Sequence, residues 1–428
     1  MSKGKVPEGY LFTRGYTNYI FLLLFLLYMF DYTDRMIVTS MFTSIEKDWG
    51  ITHMQSGALI SAIYWSIIVL TFPVSILIDR WSRSKTIGLM AVVWSIATAL
   101  CALTGNFSQL MFTRVLIGIG EAGYAPGGTA MIAALYPQDR RAKMMGVWNA
   151  SIPLGNAIGV ALGGIIAATW GWRHAFGLVA LPGFVIAVLF FFIKDYKTVA
   201  LVQVNQTQEK VKMRFRDMLN EFFDKPSLIF TYFGIASVAF VTTAVITFLS
   251  KYFQELYGYS QKVAGFKAAV VMLLALVGAP LGGYLADRWR KHRINARLLF
   301  PTITTLLSST LLFLAFYVFR GLVQYILLLG FGVLVTAFIS AASAVTQDVV
   351  HAGLRAVSYA IAVVIQNLLG ASSAPLVIGW LYDGIGIEKA MTILPYILLV
   401  GSTLFFAGSR YYEKDLGKVT AVAVEAES

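Results

Sequence analysis

Five charged side chains interrupt long apolar stretches of this sequence. Asp31, Asp34 and Arg35 lie in the first stretch, and Arg114 and Glu121 lie in the fourth. Charged groups in an apolar medium are costly, so they persist when they pair with one another and usually when they are used. Two guanidinium groups can hold an anion, and the carboxyl groups can take up a proton as a neighbouring arginine is engaged or released. The set therefore indicates anion binding that is linked to protonation.

The spacing of these residues predicts their relative heights if both stretches are helices running in opposite directions. A helix rises about 1.5 Å per residue, which places Arg114 near the level of Asp34 and Arg35. Glu121 follows seven residues later, roughly 10 Å further along, near Asp31 and on the same helix face as Arg114. We therefore expect one shared chamber in which Arg35 and Arg114 bind the anion and Glu121 and Asp34 exchange protons. The alternative is a permanent brace of two ion pairs, Asp34 with Arg114 and Arg35 with Glu121.

Uncharged polar side chains replace the charges in the second half of the sequence. Gln366 and Asn367 lie in the eleventh apolar stretch, and hydroxyl groups recur in the seventh and tenth. Those that face a cavity are predicted to bind substrate hydroxyl or head-group oxygens, whereas others satisfy helix backbones. Tyr64 is a candidate aromatic of the cavity wall, together with Tyr28 and Trp65, although packing against the membrane is the alternative for each of them.

Motifs for metals, nucleotides or hydrolysis are missing from the sequence. The four histidines lie in or near loops without forming a ligand cluster, and no paired-cysteine site, phosphate-binding loop or HExxH motif is found. The single cysteine, Cys101, excludes an intrachain disulfide. We therefore expect no cofactor, no metal and no enzymatic activity.

The composition indicates that the whole chain is embedded in a membrane. Of 428 residues, 58% are hydrophobic and 13% are charged, against roughly a quarter charged in an ordinary globular protein. Twelve apolar runs reach the roughly 20 residues needed to cross a bilayer as a helix. They lie near residues 19–41, 57–78, 86–104, 108–132, 144–169, 174–193, 227–250, 264–286, 297–319, 323–347, 356–381 and 390–410.

The net charge of +12 reflects membrane topology rather than nucleic-acid binding. Basic residues cluster in alternate loops, near residues 80–85, 140–143 and 288–293, so these loops and both termini are predicted to be cytoplasmic. A loop with Lys251, Lys262 and Lys267 is a mild exception on the opposite side. The expected location is the cell membrane, either a plasma membrane or a bacterial inner membrane.

A short motif occurs twice, about half a chain length apart, each time where an apolar run ends. The two copies are Asp79-Arg80-Trp81 and Asp287-Arg288-Trp289. Duplication of this kind is typical of carriers built from two similar bundles. We predict an N-terminal six-helix bundle over 1–193, a cytoplasmic linker over 194–226, a C-terminal six-helix bundle over 227–410 and a cytoplasmic tail over 411–428. Within the linker, 214–223 has the pattern of a short amphipathic helix, lying either on the inner membrane surface or in solvent.

These features resemble the major facilitator superfamily over essentially the whole chain. Its loop signature, Gly-x-x-x-Asp-Arg followed by further base, is present as Gly283 to Arg288, whereas the first copy has Ser75 at the glycine position. The resemblance implies an all-α membrane protein with twelve transmembrane helices in two pseudo-symmetric bundles. It also implies a cytoplasmic gate that locks the bundles in the outward-open state, formed by Asp79, Arg80, Arg83, Asp287 and Arg288.

Two groups within that superfamily are similar around the buried charges. Tyr32-Thr33-Asp34-Arg35 and the segment from Arg114 to Glu121 resemble the anion:cation symporters, which move organic anions with protons, and the spinster-like carriers of lysolipids. In both groups the residues matching Asp34, Arg35, Arg114 and Glu121 take part in substrate binding and proton coupling. Asp31 stands where both groups usually have Asn, which adds a second proton site.

The resulting functional hypothesis is proton-coupled symport of a small organic anion, a sugar acid or other carboxylate, by alternating access. Its partners would be the anion, protons and membrane lipid, and the protein is expected to be a monomer. A spinster-like lysophospholipid carrier is the nearest alternative. A receptor or scaffold that has lost transport is a third, and it predicts that neutralising Glu121 leaves uptake unchanged.

Overall fold

The computed structural model describes residues 10–80, 82–194, 222–351 and 354–419, which form helices joined by short turns and loops, without a strand. The first half contains α1 (Arg14–Ile37), α2 (Phe42–Trp49), α3 (His53–Arg80), α4 (Arg83–Cys101), α5 (Phe107–Glu121), α6 (Tyr124–Leu135), α7 (Gln138–Asn149), α8 (Ser151–Trp170) and α9 (Trp172–Phe190). The second half contains α10 (Pro226–Tyr257), α11 (Gln261–Leu273), α12 (Ala275–Arg290), α13 (Ala296–Phe313), α14 (Gly321–Leu334), α15 (Ile339–Asp348), α16 (Arg355–Ile365), α17 (Ser373–Ile385), α18 (Ile387–Met391) and α19 (Leu394–Gly417). Two π-helical segments, Leu314–Val318 and Gln366–Ala371, continue α13 and α16.

Each predicted span coincides with a helix or with consecutive helices. Within the described ranges, ten of them are long and apolar enough to cross a membrane. The two others, the first and fourth predicted spans, carry the five charges and are formed by α1 and by α5 with α6. Helices suit this setting because they satisfy their own backbone hydrogen bonds in lipid. Most of the predicted linker and of its amphipathic helix, residues 195–221, lies outside the described residues.

The chain divides by internal contacts into two compact units. One comprises residues 1–198 together with 245–273 and 375–387, and the other comprises 199–244, 274–374 and 388–428. The first unit holds the five charged residues of the first and fourth predicted spans. It also holds the last turns of α10, all of α11 and most of α17.

A ladder of glycines joins α8 to α1. Gly155, Gly159 and Gly163 face the main-chain oxygens of Met29, Thr33 and Ile37, so that both sets of residues recur every four positions. A Cβ atom at any of these glycines would overlap the opposing oxygen. Small residues at this spacing allow close helix approach in lipid, where packing replaces the hydrophobic effect. The ladder is therefore a packing seam, and it holds the helix that carries three of the charges.

Replacing Gly159 by Ala is expected to destabilise the protein by about 1–3 kcal/mol, since overpacking a tight contact shifts the backbone. Thermal unfolding of the purified protein measures the loss. Gly177→Ala on α9 is the matched control, because nothing lies within 4 Å of an added Cβ at that position. Equal melting temperatures for the two variants would show that α1 and α8 are not held by this contact.

Candidate functional site

Arg35 presents one nitrogen atom to two carboxylates. Its Nη2 atom lies 2.6 Å from Glu121 Oε2 on α5 and 3.3 Å from Asp31 Oδ2, one turn earlier on α1. All three side chains are buried. The i, i+4 spacing places Asp31 and Arg35 on one face of α1, and α5 brings Glu121 to the same face. With both carboxylates ionised, this group carries one more negative than positive charge.

Two tyrosine rings border the Arg35 guanidinium. Its Cζ atom lies 4.5 Å from the centre of the Tyr32 ring and 5.2 Å from that of Tyr64, within the range of cation–π attraction. Of the other predicted cavity aromatics, Tyr28 packs edge-on against Tyr32 at 5.2 Å, and Trp65 is 45% exposed. Tyr64 is thus the predicted aromatic that lies directly against the charged group.

Asp34 and Arg114 form a second group on a different side of α1. The Thr98 hydroxyl on α4 donates to Asp34 Oδ2, and Arg114 Nη1 donates to the main-chain oxygen of Asp34 at 3.4 Å. The Arg114 guanidinium lies 5.1 Å from the Phe176 ring on α9 and is fully buried. Asp34 and Arg35 reach different partners because successive residues of a helix are rotated by about 100°.

Both groups keep polar atoms that have no hydrogen-bond partner within the described part of the chain. These atoms are Asp31 Oδ1, Arg35 Nε and Glu121 Oε1 in the first group, and Asp34 Oδ1, Arg114 Nε and Arg114 Nη2 in the second. Buried polar groups are nearly always satisfied in proteins. These guanidinium donors and carboxylate acceptors are therefore exceptions to that rule among the described residues.

The expected contacts are realised in part. Glu121 and Asp31 meet at Arg35, in agreement with the predicted heights. Of the two pairs in the alternative brace, Arg35–Glu121 is present, whereas Arg114 bonds to the Asp34 main chain instead of its carboxylate. Arg114 is placed with Asp34, so the described contacts separate it from Arg35. Gln366 and Asn367 are half-buried at the start of a π-helical segment in the other compact unit.

The second copy of the repeated motif lies at the end of α12. Arg297 bridges two carboxylates, with Nη1 3.1 Å from Asp348 Oδ2 and Nη2 3.8 Å from Asp287 Oδ1. Arg288 Nη1 is 3.5 Å from the Tyr284 hydroxyl, its neighbour one turn earlier. The side chains of Asp79, Arg80 and Arg83 lie outside the described residues. Of the predicted gate residues, the described side chains are those of Asp287 and Arg288, and Arg297 lies within ion-pair distance of Asp287.

A further charged cluster was not predicted from the sequence. The Lys251 ammonium on α10 pairs with Glu46 on α2 and lies 3.0 Å from Nδ1 of His53, the first residue of α3. Although burial raises the pKa of a carboxyl group, the His53 contact and the Lys251 charge outweigh it and lower the pKa of Glu46 below its ordinary value. This pairing accounts for one of the three lysines in the exceptional loop, because Lys251 is buried in an ion pair. The partners are too distant in sequence for spacing to reveal them.

The sequence profile of the Major Facilitator Superfamily matches residues 24–375. The chain belongs to this superfamily. Among its relatives in the superfamily, the hexuronate transporter of Bacillus subtilis (strain 168) is 25% identical over 298 residues, which cover 68% of this chain and 71% of that protein. Protein spinster homolog 1 of Xenopus laevis is 23% identical over 437 residues, which cover 93% of this chain and 82% of that protein.

A solved structure of the same superfamily has a similar fold. It is the crystal structure of a bacterial homolog to the human lysosomal transporter Spinster, in an inward-facing and unoccupied conformation. Its TM-score is 0.83 at 21% identity, covering 94% of this chain and 98% of that one. The predicted fold class, an all-α membrane protein with twelve transmembrane helices in two pseudo-symmetric six-helix bundles, is confirmed. This major facilitator protein is a multi-pass membrane transporter related to sugar-acid transporters and spinsters, and its relatives are transporters rather than enzymes.

Proposed function

We propose that the protein is a proton-coupled symporter of a small organic anion, a sugar acid or another carboxylate, working by alternating access. The observation that carries this proposal is the sharing of Arg35 Nη2 by Asp31 and Glu121 in a buried site. An excess carboxylate in a low dielectric favours its neutral form unless a cation faces it. Whether an anion is bound to Arg35 therefore affects whether Asp31 and Glu121 are protonated.

The coupling follows from charge balance around Arg35. A substrate carboxylate that binds the guanidinium takes the place of Glu121, whose nearest contact is the same nitrogen atom. The displaced Glu121 carboxylate, without its cation, binds a proton. When the anion leaves, Arg35 again attracts Glu121 and the proton is released to water. Anion and proton thus move in the same direction, and Asp31, the other carboxylate on Arg35, is the second proton site.

The second group of charges has a related role in this proposal. Arg114 offers two unpartnered donor atoms to the anion, Nε and Nη2, once helix movement uncovers it. The Asp34 carboxylate accepts a hydrogen bond from Thr98, and Arg114 donates to the Asp34 main chain. The same movement takes the guanidinium away from Asp34, whose carboxyl group then exchanges a proton. Two guanidinium groups suit a carboxylate because their forked donors match its geometry. Hydroxyl groups of the substrate are bound by Tyr64, Gln366 and Asn367.

The rest of the proposal concerns topology and gating. The basic loops and both termini face the cytoplasm of a cell membrane, plasma or bacterial inner, because cytoplasmic loops are rich in Lys and Arg. The gate that closes the cytoplasmic side consists of Asp79, Arg80, Arg83, Asp287 and Arg288. The N-terminal bundle ends near residue 193 and the C-terminal bundle begins near 227, in a monomeric protein.

Transport into proteoliposomes tests the proposal. With an imposed proton gradient of one pH unit, a singly charged anion moving with one proton accumulates about tenfold. The panel contains hexuronates, aldarates and simple carboxylates, and a protonophore serves as the control that must abolish accumulation. Absence of gradient-driven accumulation for every member of the panel contradicts proton symport of an anion.

A second candidate function, a spinster-like lysophospholipid carrier, is favoured by one groove. Within the second unit, α10, the π-helical segment and α19 enclose about 350 Å³ lined by Phe233, Ala236, Ser237, Phe240, Leu369, Ile397, Val400 and Leu404. This lining is almost wholly apolar, as an acyl chain requires. Native mass spectrometry of the protein extracted from membranes distinguishes the two: a retained lysolipid that sugar acids do not displace supports the lipid carrier.

A further inference from the structure

We propose that Glu46, His53, Lys251 and Asp383, named here the outer latch, hold the outer ends of the helices closed and must separate for the protein to open outward. The inference rests on the alternating-access mechanism proposed above, and it concerns the outer side, where no gate residues were predicted from the sequence. The outer side is the one opposite the basic loops. Four contacts support this inference.

The first contact is the ion pair of Lys251. Its ammonium group is buried, with 2% of the side chain exposed, and it pairs with Glu46. The Ser56 hydroxyl donates to Glu46 Oε1 at 2.7 Å, which keeps the carboxylate in place. A buried Lys without a partner is strongly disfavoured. The free-energy cost of breaking this pair is therefore small only if water reaches the ammonium group. The ion pair therefore stabilises the state in which the helix ends are together. When they separate, water takes the place of Glu46 at the ammonium group.

The second contact caps α3 from a distant part of the chain. Asp383 on α17 accepts hydrogen bonds from the backbone N–H groups of His53 at 2.8 Å and Met54 at 3.0 Å. The first N–H groups of a helix have no partner within it, and a carboxylate there also benefits from the helix dipole. Asp383 thus ties α17 to the start of α3.

Local hydrogen bonds let α3 keep its start without Asp383. The Thr52 N–H donates to Gln55 Oε1 at 2.9 Å, and the Gln55 N–H donates to Thr52 Oγ1 at 3.1 Å, which is a complete capping box. Separation of Asp383 therefore leaves the helix terminus capped. A contact that can be lost without fraying its helix is suited to reversible opening.

The third contact is a stacked ring pair beside the ions. The His53 imidazole lies parallel to the Tyr382 ring with centroids 3.6 Å apart, and the Tyr382 hydroxyl donates to Glu255 on α10. The Lys251 ammonium lies 5.0 Å from the centre of the same Tyr382 ring. Charged and aromatic groups from α2, α3, α10 and α17 thus meet at one point.

The fourth contact is direct backbone packing between α3 and α17. A Cβ at Gly379 would lie 2.6 Å from the main-chain oxygen of His53, and one at Gly57 would overlap the main-chain oxygen of Pro375. Both glycines permit a helix approach that no other residue allows. The contact at Gly379 is made when the latch is closed, and it involves no charge. A substitution at Gly379 therefore weakens the closed latch without removing an ion pair.

Spin-label distances between α2 and α17 test the outer latch without requiring transport. Labels are placed on Lys47→Cys and Ile385→Cys, both exposed positions, while Cys101, the only native cysteine, is buried. Distances are measured by double electron–electron resonance on full-length protein with no anion and no proton gradient. We expect Lys251→Met and Gly379→Ala each to raise the ratio of long to short distances about tenfold or more, because each removes or obstructs a buried contact.

Matched variants keep the test specific. Lys262→Met removes an exposed lysine from α11, and Gly384→Ala adds a Cβ on α17 where nothing lies within 4 Å, so both should leave the distances unchanged. Lys251→Arg keeps the charge, and the exchange Glu46→Lys with Lys251→Glu restores a pair, so both should return the ratio towards that of the labelled parent. Unchanged distances in Lys251→Met and Gly379→Ala, or equal changes in the controls, would overturn the latch. Because no substrate is present, a failure of the proposed symport leaves this outcome unaffected.

Discussion

Replacing Arg35 by Gln is expected to weaken anion binding roughly a hundredfold, because the substitution removes a buried charged partner from the substrate carboxylate. The same change leaves Asp31 and Glu121 without their shared cation, so both carboxyl groups become neutral and no longer respond to the substrate. The measurement is saturable thermal stabilisation of the purified transporter by the sugar acid that it accumulates. Wild-type affinity in the variant would show that Arg35 does not hold the anion.

Two companion variants separate this effect from general damage. Arg320→Gln breaks a surface ion pair in which the side chains of Arg320 and Glu388 are 42% and 50% exposed. Because exposed ion pairs contribute little, the anion affinity of this variant should stay within about twofold of the parent's. Arg35→Lys keeps a positive charge but loses the forked donors, so its affinity should lie between that of the parent and that of Arg35→Gln. If Arg35→Lys binds as the parent does, a positive charge at this position suffices and the forked donors are not needed.

Replacing Glu121 by Gln is expected to abolish accumulation against a gradient while anion exchange survives. Gln has the size of a protonated Glu and cannot release a proton, so anion binding no longer depends on protonation at this position. The tenfold accumulation that one pH unit supports then falls to equilibration. Counterflow of labelled anion, measured in the same proteoliposomes without a proton gradient, should continue.

Asp31→Asn is the matched variant on the other carboxylate of Arg35. We expect it to retain the roughly tenfold accumulation that one proton supports, because Glu121 remains to carry that proton. Full gradient-driven accumulation by Glu121→Gln would contradict the coupling proposed here. Complete loss of both accumulation and exchange would instead show that the ionisable carboxyl group of Glu121 is needed for the transport cycle itself.

The sequence predicted the levels of the charged residues along their helices better than it predicted which neighbours their side chains face. Helix rise correctly brought Glu121 and Asp31 to one level, where both contact Arg35. Rise alone could not decide which neighbour each side chain faces, because that depends on how α1, α4, α5 and α9 pack. Arg114 was therefore expected beside Arg35, yet it lies with Asp34, Thr98 and Phe176. The rotation between the adjacent residues Asp34 and Arg35 was the available signal.

Long-range contacts set another limit on prediction. Glu46 and Lys251 are separated by 205 positions, and neither lies in a motif, so only the folded chain brings them together. The apolar runs, in contrast, are local properties of composition, and every one of them corresponds to a helix or consecutive helices. Lys251, one of the three lysines that depart from the charge pattern of the other loops, was a trace of the outer latch in the sequence.

The glycine ladder between α1 and α8 constrains how this transporter can change its specificity. Each glycine is opposed by a main-chain oxygen, an atom that no substitution on α1 can remove. Room for a bulkier cargo therefore cannot be made by repacking that seam, however many positions a mutant library samples. Tyr64 on α3 has no such restriction, since trimming its ring removes only side-chain atoms beside Arg35. Directed evolution toward larger anions should accordingly collect its successful changes on α3 and leave the α8 glycines untouched.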